Sequence, residues 1–408
     1  MPVLRISAFL IFFPSICLQI VSVAAPLKTV ELPEPTGKHK VGTVVYFFED
    51  KKREELWTPT PNDYRQLMVQ IWYPADNAKG DPAPYIFDLE KIRPSIEKYW
   101  ENMPDVRSRS SLNIPISKAR KSYPLLILSH GMNSGRFLYT SISQELASRG
   151  YVVASIDHTY WGPGVAFPNG KIVSFEDSMI ARDKLDFKEI DRMMLEGIAV
   201  MSADQAFVAE RMAELNAGST FFKNKLDLSK IGVLGHSMGG MAATASCLHY
   251  TVFKACVSLD GVNYFLNRMP ASSSKPFLLL LNSDWGKNTP EKISKSYLEA
   301  WENPSVAIIN GTKHNFFSDI PLIEPPEQTD GLIEPLRAHR IISAYTTAFF
   351  DKHLKQTKEK MPAFSEMEFI DLKTVESRPI SSMPAGDRNQ TFSIFAHGTL
   401  PRRSERYV

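Results

Sequence analysis

The stretch "KIGVLGHSMGG" (residues 230–240) decides how the rest of the chain is read. A greasy run from Ile231 to Leu234 leads into Gly235-His236-Ser237-Met238-Gly239, and a helical pattern, "MGGMAATASCLHY", follows. In the pattern G-x-S-x-G the serine sits on a sharp turn between strand and helix, where only glycine leaves room for the close approach of backbone. Such a turn lifts the hydroxyl clear of the sheet edge and points a helix N-terminus at developing negative charge. Ser237 is therefore expected to be a nucleophile; the plainer alternative is a small residue in a tight turn.

The surroundings of that turn set the fold. "QLMVQIWYP" (66–74) reads as a strand, and "PLLILSHG" (124–131), "YVVASIDH" (151–158), "KACVSLDG" (254–261), "PFLLLLNSD" (276–284) and "SVAIING" (305–311) are short, near-continuous apolar runs. Runs of this kind suit strands buried on both faces, as in a parallel sheet. Helical periods lie between them: "FLYTSISQELASRG" (137–150), the long segment 196–216 with Ala199, Ala203, Ala206, Phe207 and Met212 on one stripe, and a late helix around His339 and His353. This alternation predicts a doubly wound α/β sheet with right-handed crossovers. Together with the G-x-S-x-G elbow it leads to the expectation of an α/β-hydrolase fold, a mostly parallel central sheet with helices on both faces.

The remaining segments bound the domain. The apolar start, Ile6 to about Val21 followed by Ser22-Val23-Ala24-Ala25, has the order of a cleavable signal peptide over residues 1–25. It predicts a secreted or periplasmic mature protein. The catalytic domain is expected over 26–360, with a Pro-rich, charged excursion at 75–122 that packs near the sheet and is a candidate lid. A C-terminal extension, 361–408, is expected to be partly mobile. Net charge is only +2 across 408 residues, without a dense basic block, which argues against a nucleic-acid partner. Past the signal only Cys247 and Cys256 remain, too few for a metal framework; buried free thiols are the expectation and a single bridge the alternative. Asn310-Gly311-Thr312 and Asn389-Gln390-Thr391 fit the glycosylation acceptor pattern.

A serine nucleophile needs a base, and in this fold the chain order is Ser, then acid, then His. Of the histidines beyond the nucleophile helix, His339 and His353 fall on a helical pattern and His397 in the tail. His314, in "INGTKHNFFSD" just after the last strand-like run, stands where the base belongs. His130, His158, His236 and His249 precede the acid and suit structural or wall-lining roles. For the acid, Asp260 ends one strand and Asp284 the next, and position alone leaves both open; Asp319 reads as a loop cap. The oxyanion hole calls for the N–H of Met238, next to the nucleophile, and an N–H from the loop "LSHGMNSG", which nominates Met132. Met132, Met238, Trp161, Trp285, Phe316 and Phe317 are candidate walls of an apolar acyl pocket.

"YPLLILSHGMNSGRFLYTSISQELASRGYVVASIDH", "LDLSKIGVLGHSMGG", "VSLDG" and "GTKHNFFSD", in that order, resemble the plasma-type platelet-activating factor acetylhydrolases and their bacterial esterase relatives. The likeness spans about residues 40–355. It implies Asp260 as the acid, with Asp284 as fallback, and a calcium-independent, cofactor-free serine esterase with no metal. The implied substrate is a small ester or a phospholipid with a short or oxidised acyl chain, met by transient contact with a lipid surface. The chain departs from the plasma enzyme in carrying Met132 and Met238 at the donor positions, a shorter excursion before residue 122 and a different tail. Those departures leave two rivals standing: a broad short-chain carboxylesterase or polyester hydrolase, and an acyltransferase on the same scaffold.

Overall fold

The computed structural model describes residues 28–100, 103–178, 186–263, 265–269, 271–285, 296–358 and 360–370. The expected signal peptide, His397, the Asn389 acceptor and most of the expected mobile tail lie outside the described residues.

The strands in chain order are β1 (Thr29–Glu31), β2 (Lys40–Glu54), β3 (Tyr64–Ala75), β4 (Pro82–Pro84), β5 (Asp105–Leu112), β6 (Tyr123–Ser129) and β7 (Val152–Asp157). A small hairpin, β8 (Val165–Ala166) and β9 (Ile172–Val173), precedes β10 (Leu226–His236), β11 (Phe253–Leu259), β12 (Phe277–Leu281), β13 (Ser305–Ile309) and β14 (Met367–Ile370). In space the main sheet runs β1-β5-β2-β3-β7-β6-β10-β11-β12-β13-β14, with β4 beside β5. From β7 to β13 every pair is parallel, while β2, β3 and β14 join antiparallel.

Alternation within the apolar runs explains the layers. In β6, Leu125 and Ile127 enter one core while Leu126 and Leu128 enter the other; in β12, Phe277, Leu279 and Leu281 face the first and Leu278 and Leu280 the second. A strand with greasy side chains on both faces is stable only between two covering layers. The first face is covered by helices α3 (Phe187–Gly218), through Val208 and Met212, and α4 (Met238–His249), through Ala243 and Cys247. The second is covered by α2 (Thr140–Ser148), through Ile142 and Leu146, and α5 (Pro335–His353), through Ile341, Ile342 and Phe349. Each fully buried Leu or Phe contributes about 1.5–3 kcal/mol, so trimming Leu279 to Ala is costly.

Several expectations need correction. The helix expected at 196–216 starts at Phe187, where Asp186 and Glu189 form a reciprocal capping box. The excursion at 75–122 carries the one-helix segment α1 (Leu89–Ile96), yet its β5 lies inside the sheet between β1 and β2. The expected boundary at 360 is also too early, because β14 pairs with β13. Finally, Cys247 and Cys256 are not free thiols: they form a disulfide that ties the end of α4 to β11.

Candidate active site

Three turns at the carboxyl ends of β10, β11 and β13 carry the predicted Ser237, Asp260 and His314. Ser237 follows β10 with φ 55° and ψ −123°, a region that costs an L-residue about 1–3 kcal/mol. The turn is tight because a side chain at Gly235 would place its Cβ 2.2 Å from the Gly239 oxygen. The Ser237 N–H donates to Leu259 O at 2.9 Å and its carbonyl accepts from Met241 N, which pins the strained residue between strand and helix. Its hydroxyl, though at the N-cap of α4, makes no capping hydrogen bond and so is not consumed by the helix.

Asp260 is buried at the end of β11, also with positive φ (51°). Its carboxylate accepts from Asn282 N (2.9 Å), Asn282 Nδ2 (2.6 Å), Trp285 Nε1 (2.9 Å) and His314 Nδ1 (2.5 Å). An ionised carboxylate only accepts, so Nδ1 of His314 holds the proton and the neutral ring keeps its basic lone pair on Nε2. His314 opens a short 3₁₀ turn, His314–Phe317, and is half-exposed. Asp284, the fallback acid, is drawn instead to the surface by an ion pair with Lys313. The Asp319 side chain caps no residue of its own turn; its carboxylate accepts from Ser141 N in the first turn of α2.

The nominated oxyanion donors flank the nucleophile: Met238 follows it in the chain, and the loop that carries Met132 packs against it. Gly131 sits against the nucleophile, since a Cβ there would come within 3.0 Å of Ser237 Cβ. Gly131 O accepts from His130 Nδ1 (2.6 Å) and Ser134 N (3.2 Å). In a trans peptide the following N–H points opposite to that carbonyl, so these bonds fix the direction of the Met132 N–H. Among the described residues the Met132 and Met238 amides have no hydrogen-bond acceptor.

Sequence reasoning missed the polar layer beneath that loop. Arg65 and Asp204, both buried, pair at 2.7 Å, and Arg65 also meets Glu55 at 2.6 Å. His158 Nδ1 donates to Asp204 (2.9 Å), Ser129 Oγ donates to His158 Nε2 (2.8 Å), and His158 N–H donates to His130 Nε2 (3.0 Å). Arg65 and Arg53 hold Asp204 far below the usual carboxylate range against its burial, while burial pushes His130 down to about 3. These residues are scattered from Glu55 to Asp204, so no local motif announces them. Removing one partner of such a buried pair typically costs about 3–5 kcal/mol. The pocket walls also sort themselves: Trp161 and Met238 are buried in a common cluster, Met132 is exposed, and Trp285 supports the acid.

Comparison with known proteins places the chain among esterases. The family described as platelet-activating factor acetylhydrolase, isoform II, matches residues 24–161 and 194–373. A platelet-activating factor acetylhydrolase of Cavia porcellus is 25% identical, over 61% of this chain and 61% of its own length. The corresponding protein of Canis lupus familiaris is 23% identical over 95% of this chain and 89% of its own. A probable 1-alkyl-2-acetylglycerophosphocholine esterase of Arthroderma benhamiae is 25% identical over 72% and 77%. The solved structure of a ferulic acid esterase from Streptomyces cinnamoneus superposes with a TM-score of 0.67 at 27% identity, covering 84% of this chain and 99% of that one.

Proposed function

The chain belongs to the family of platelet-activating factor acetylhydrolases, isoform II, a family of carboxylic ester hydrolases, and from that premise we propose that it cleaves short-chain esters, in particular the sn-2 acyl group of platelet-activating-factor-like or oxidised phospholipids. The observation that carries this reading is the placement, at one sheet edge, of a serine on a glycine-framed elbow beside the turns that carry a buried Asp260 and the His314 it grips.

In this mechanism Ser237 Oγ attacks the ester carbonyl while His314 Nε2 takes its proton. Asp260 holds the imidazole tautomer and stabilises the imidazolium that forms. The Met132 and Met238 N–H groups receive the tetrahedral oxyanion, at the head of α4 where the helix dipole also favours negative charge. His314 then protonates the leaving alcohol, and water repeats the cycle on the acyl-enzyme. The chemistry needs no cofactor. The exposed Met132 side chain supports transient contact with a lipid surface at the site mouth.

The Streptomyces likeness favours a second reading, a broad carboxylesterase without phospholipid preference. Export, to the periplasm or outside the cell, is supported by the Cys247–Cys256 bridge, since disulfides persist in oxidising compartments. Among the described residues no helix is long and apolar enough to cross a membrane.

The test is a rate comparison on p-nitrophenyl esters of increasing acyl length and on a short sn-2-acyl phosphatidylcholine. Phospholipid cleavage as fast as that of the best simple ester supports the first reading. Cleavage of simple esters alone moves the assignment to the second.

A further inference from the structure

His236 precedes the proposed nucleophile, and no step of the proposed mechanism uses it. Its ring is buried, stacked parallel to Phe317 and 4.5 Å from the His314 ring, centre to centre. Its Nε2 lies 3.1 Å from the His314 main-chain oxygen, and its Nδ1 lies 2.8 Å from the Tyr139 hydroxyl. A carbonyl can only accept, so Nε2 carries the proton. Nδ1 is then a bare lone pair and accepts the Tyr139 O–H. With its proton committed, the Tyr139 oxygen accepts from Gly131 N–H at 3.2 Å and from Ser134 Oγ at 3.4 Å.

Every donor and acceptor in this chain is assigned, and its direction is unique. It runs from the Gly131 N–H through Tyr139 and His236 to the carbonyl of His314. One end is the His130–Gly131 peptide, the unit preceding the one that carries the Met132 N–H, and the other is the residue that carries the base. Burial lowers His236 to about 3 and raises Tyr139 to about 12, so both stay neutral across the working range and the pattern does not switch.

We propose that Tyr139 and His236 are positioning residues, a neutral hydrogen-bonded strap that holds the oxyanion loop and the His314 turn in mutual register. The proposal rests on the assignment of Met132 and His314 given above. Neither side chain needs to touch the ester. The loop and the turn come from opposite flanks of the nucleophile strand, β6 and β13, and each reaches the site on irregular backbone. A misplacement of 1 Å at such a site can cost about 10²-fold in rate. A strap between the two therefore acts on the transition state, where oxyanion donor and imidazolium must be correct together.

The test uses Tyr139→Phe, His236→Ala, His236→Gln and the double variant Tyr139→Phe/His236→Ala, assayed on p-nitrophenyl butyrate, with Ser237→Ala alongside. Loss of the hydroxyl that joins the oxyanion loop to His236 predicts that Tyr139→Phe lowers kcat about tenfold with KM within about twofold. His236→Ala should lose about a hundredfold, and His236→Gln, whose Nε2 amide can still donate to the His314 carbonyl, should recover most of it. The double variant should fall no lower than His236→Ala, because the strap is already cut. Unchanged kcat in Tyr139→Phe, a loss confined to KM, or a Gln variant no better than Ala overturns the strap. If His236→Ala does not fold, Tyr139→Phe, which deletes a single oxygen, decides alone. A Ser237→Ala variant that stayed active would overturn the nucleophile assignment instead, a result separable from failure of the strap.

Discussion

Asp260 Oδ2 and His314 Nδ1 meet at 2.5 Å although 54 positions separate them in the chain. The contact is made by the sheet: β11 delivers the carboxylate, β13 the imidazole, and β12 between them delivers Asn282, whose amides also hold Asp260. A carboxylate bound by its neighbours in this way orients the ring without moving itself.

That relationship separates the two candidate acids. Asp260→Asn keeps the shape but reverses the tautomer preference of His314, and kcat is expected to fall about 10⁴-fold. Asp284→Asn removes only a surface ion pair with Lys313, worth about 0–1 kcal/mol, so kcat should stay within about twofold. Steady-state kinetics of the two variants on one ester checks both. An inactive Asp284→Asn with an active Asp260→Asn would reverse the assignment.

The disulfide makes a prediction about stability alone. It closes a short loop of sequence separation 9 between α4 and β11, which in the chain-entropy account contributes about 2.6 kcal/mol. The double variant Cys247→Ala/Cys256→Ala should unfold at lower denaturant by that amount. It should keep its kcat, because the bridge joins the far end of α4 from Ser237. Urea titration followed by tryptophan fluorescence measures the first and an ester assay the second.

Buried titratable groups give stability a pH dependence whose sign can be worked out. His130 and His236 are both lowered to about 3, chiefly by burial, so between that value and the ordinary 6.5 the unfolded chain binds protons that the folded chain does not. Their contribution is present above 6.5 and is lost as pH falls. Asp319 runs the other way: burial raises it to about 7, so its contribution is present below its unfolded 3.8 and lost as pH rises through 7. Asp319→Asn should therefore gain stability relative to wild type on going from pH 5 to pH 8.5, while the wild type itself becomes more stable from pH 4.5 to pH 6.5. Thermal melts across that range test both signs, and a flat difference for Asp319→Asn would contradict the second.

The parallel core strands were legible because burial on both faces leaves a continuous apolar run, as in "FLLLL" of β12. The glycine frame of Ser237 was legible because a sharp elbow tolerates little else. The edges were not. β1 and β4 are only three residues long, and β5, "DVRSRSSL", is largely polar, so neither length nor periodicity marks them. Asp260 and Asp284 could not be separated from position, since both end strands at the same edge and only side-chain direction distinguishes them. Trp285 read as a pocket wall because an indole is mostly apolar surface; its single N–H, aimed at Asp260, is visible only in three dimensions. The Arg65–Asp204–His158 layer likewise arises from tertiary contacts between residues with no shared local pattern.

The central claim is that Ser237 is the nucleophile. The most direct measurement inactivates the protein with diethyl p-nitrophenyl phosphate, an organophosphate that esterifies activated serines, and locates the adduct by peptide mass spectrometry. The account predicts one diethylphosphoryl group per chain, on the peptide containing Ser237, with loss of ester hydrolysis in step with labelling. An adduct on another residue, or full inactivation with Ser237 unmodified, would contradict it.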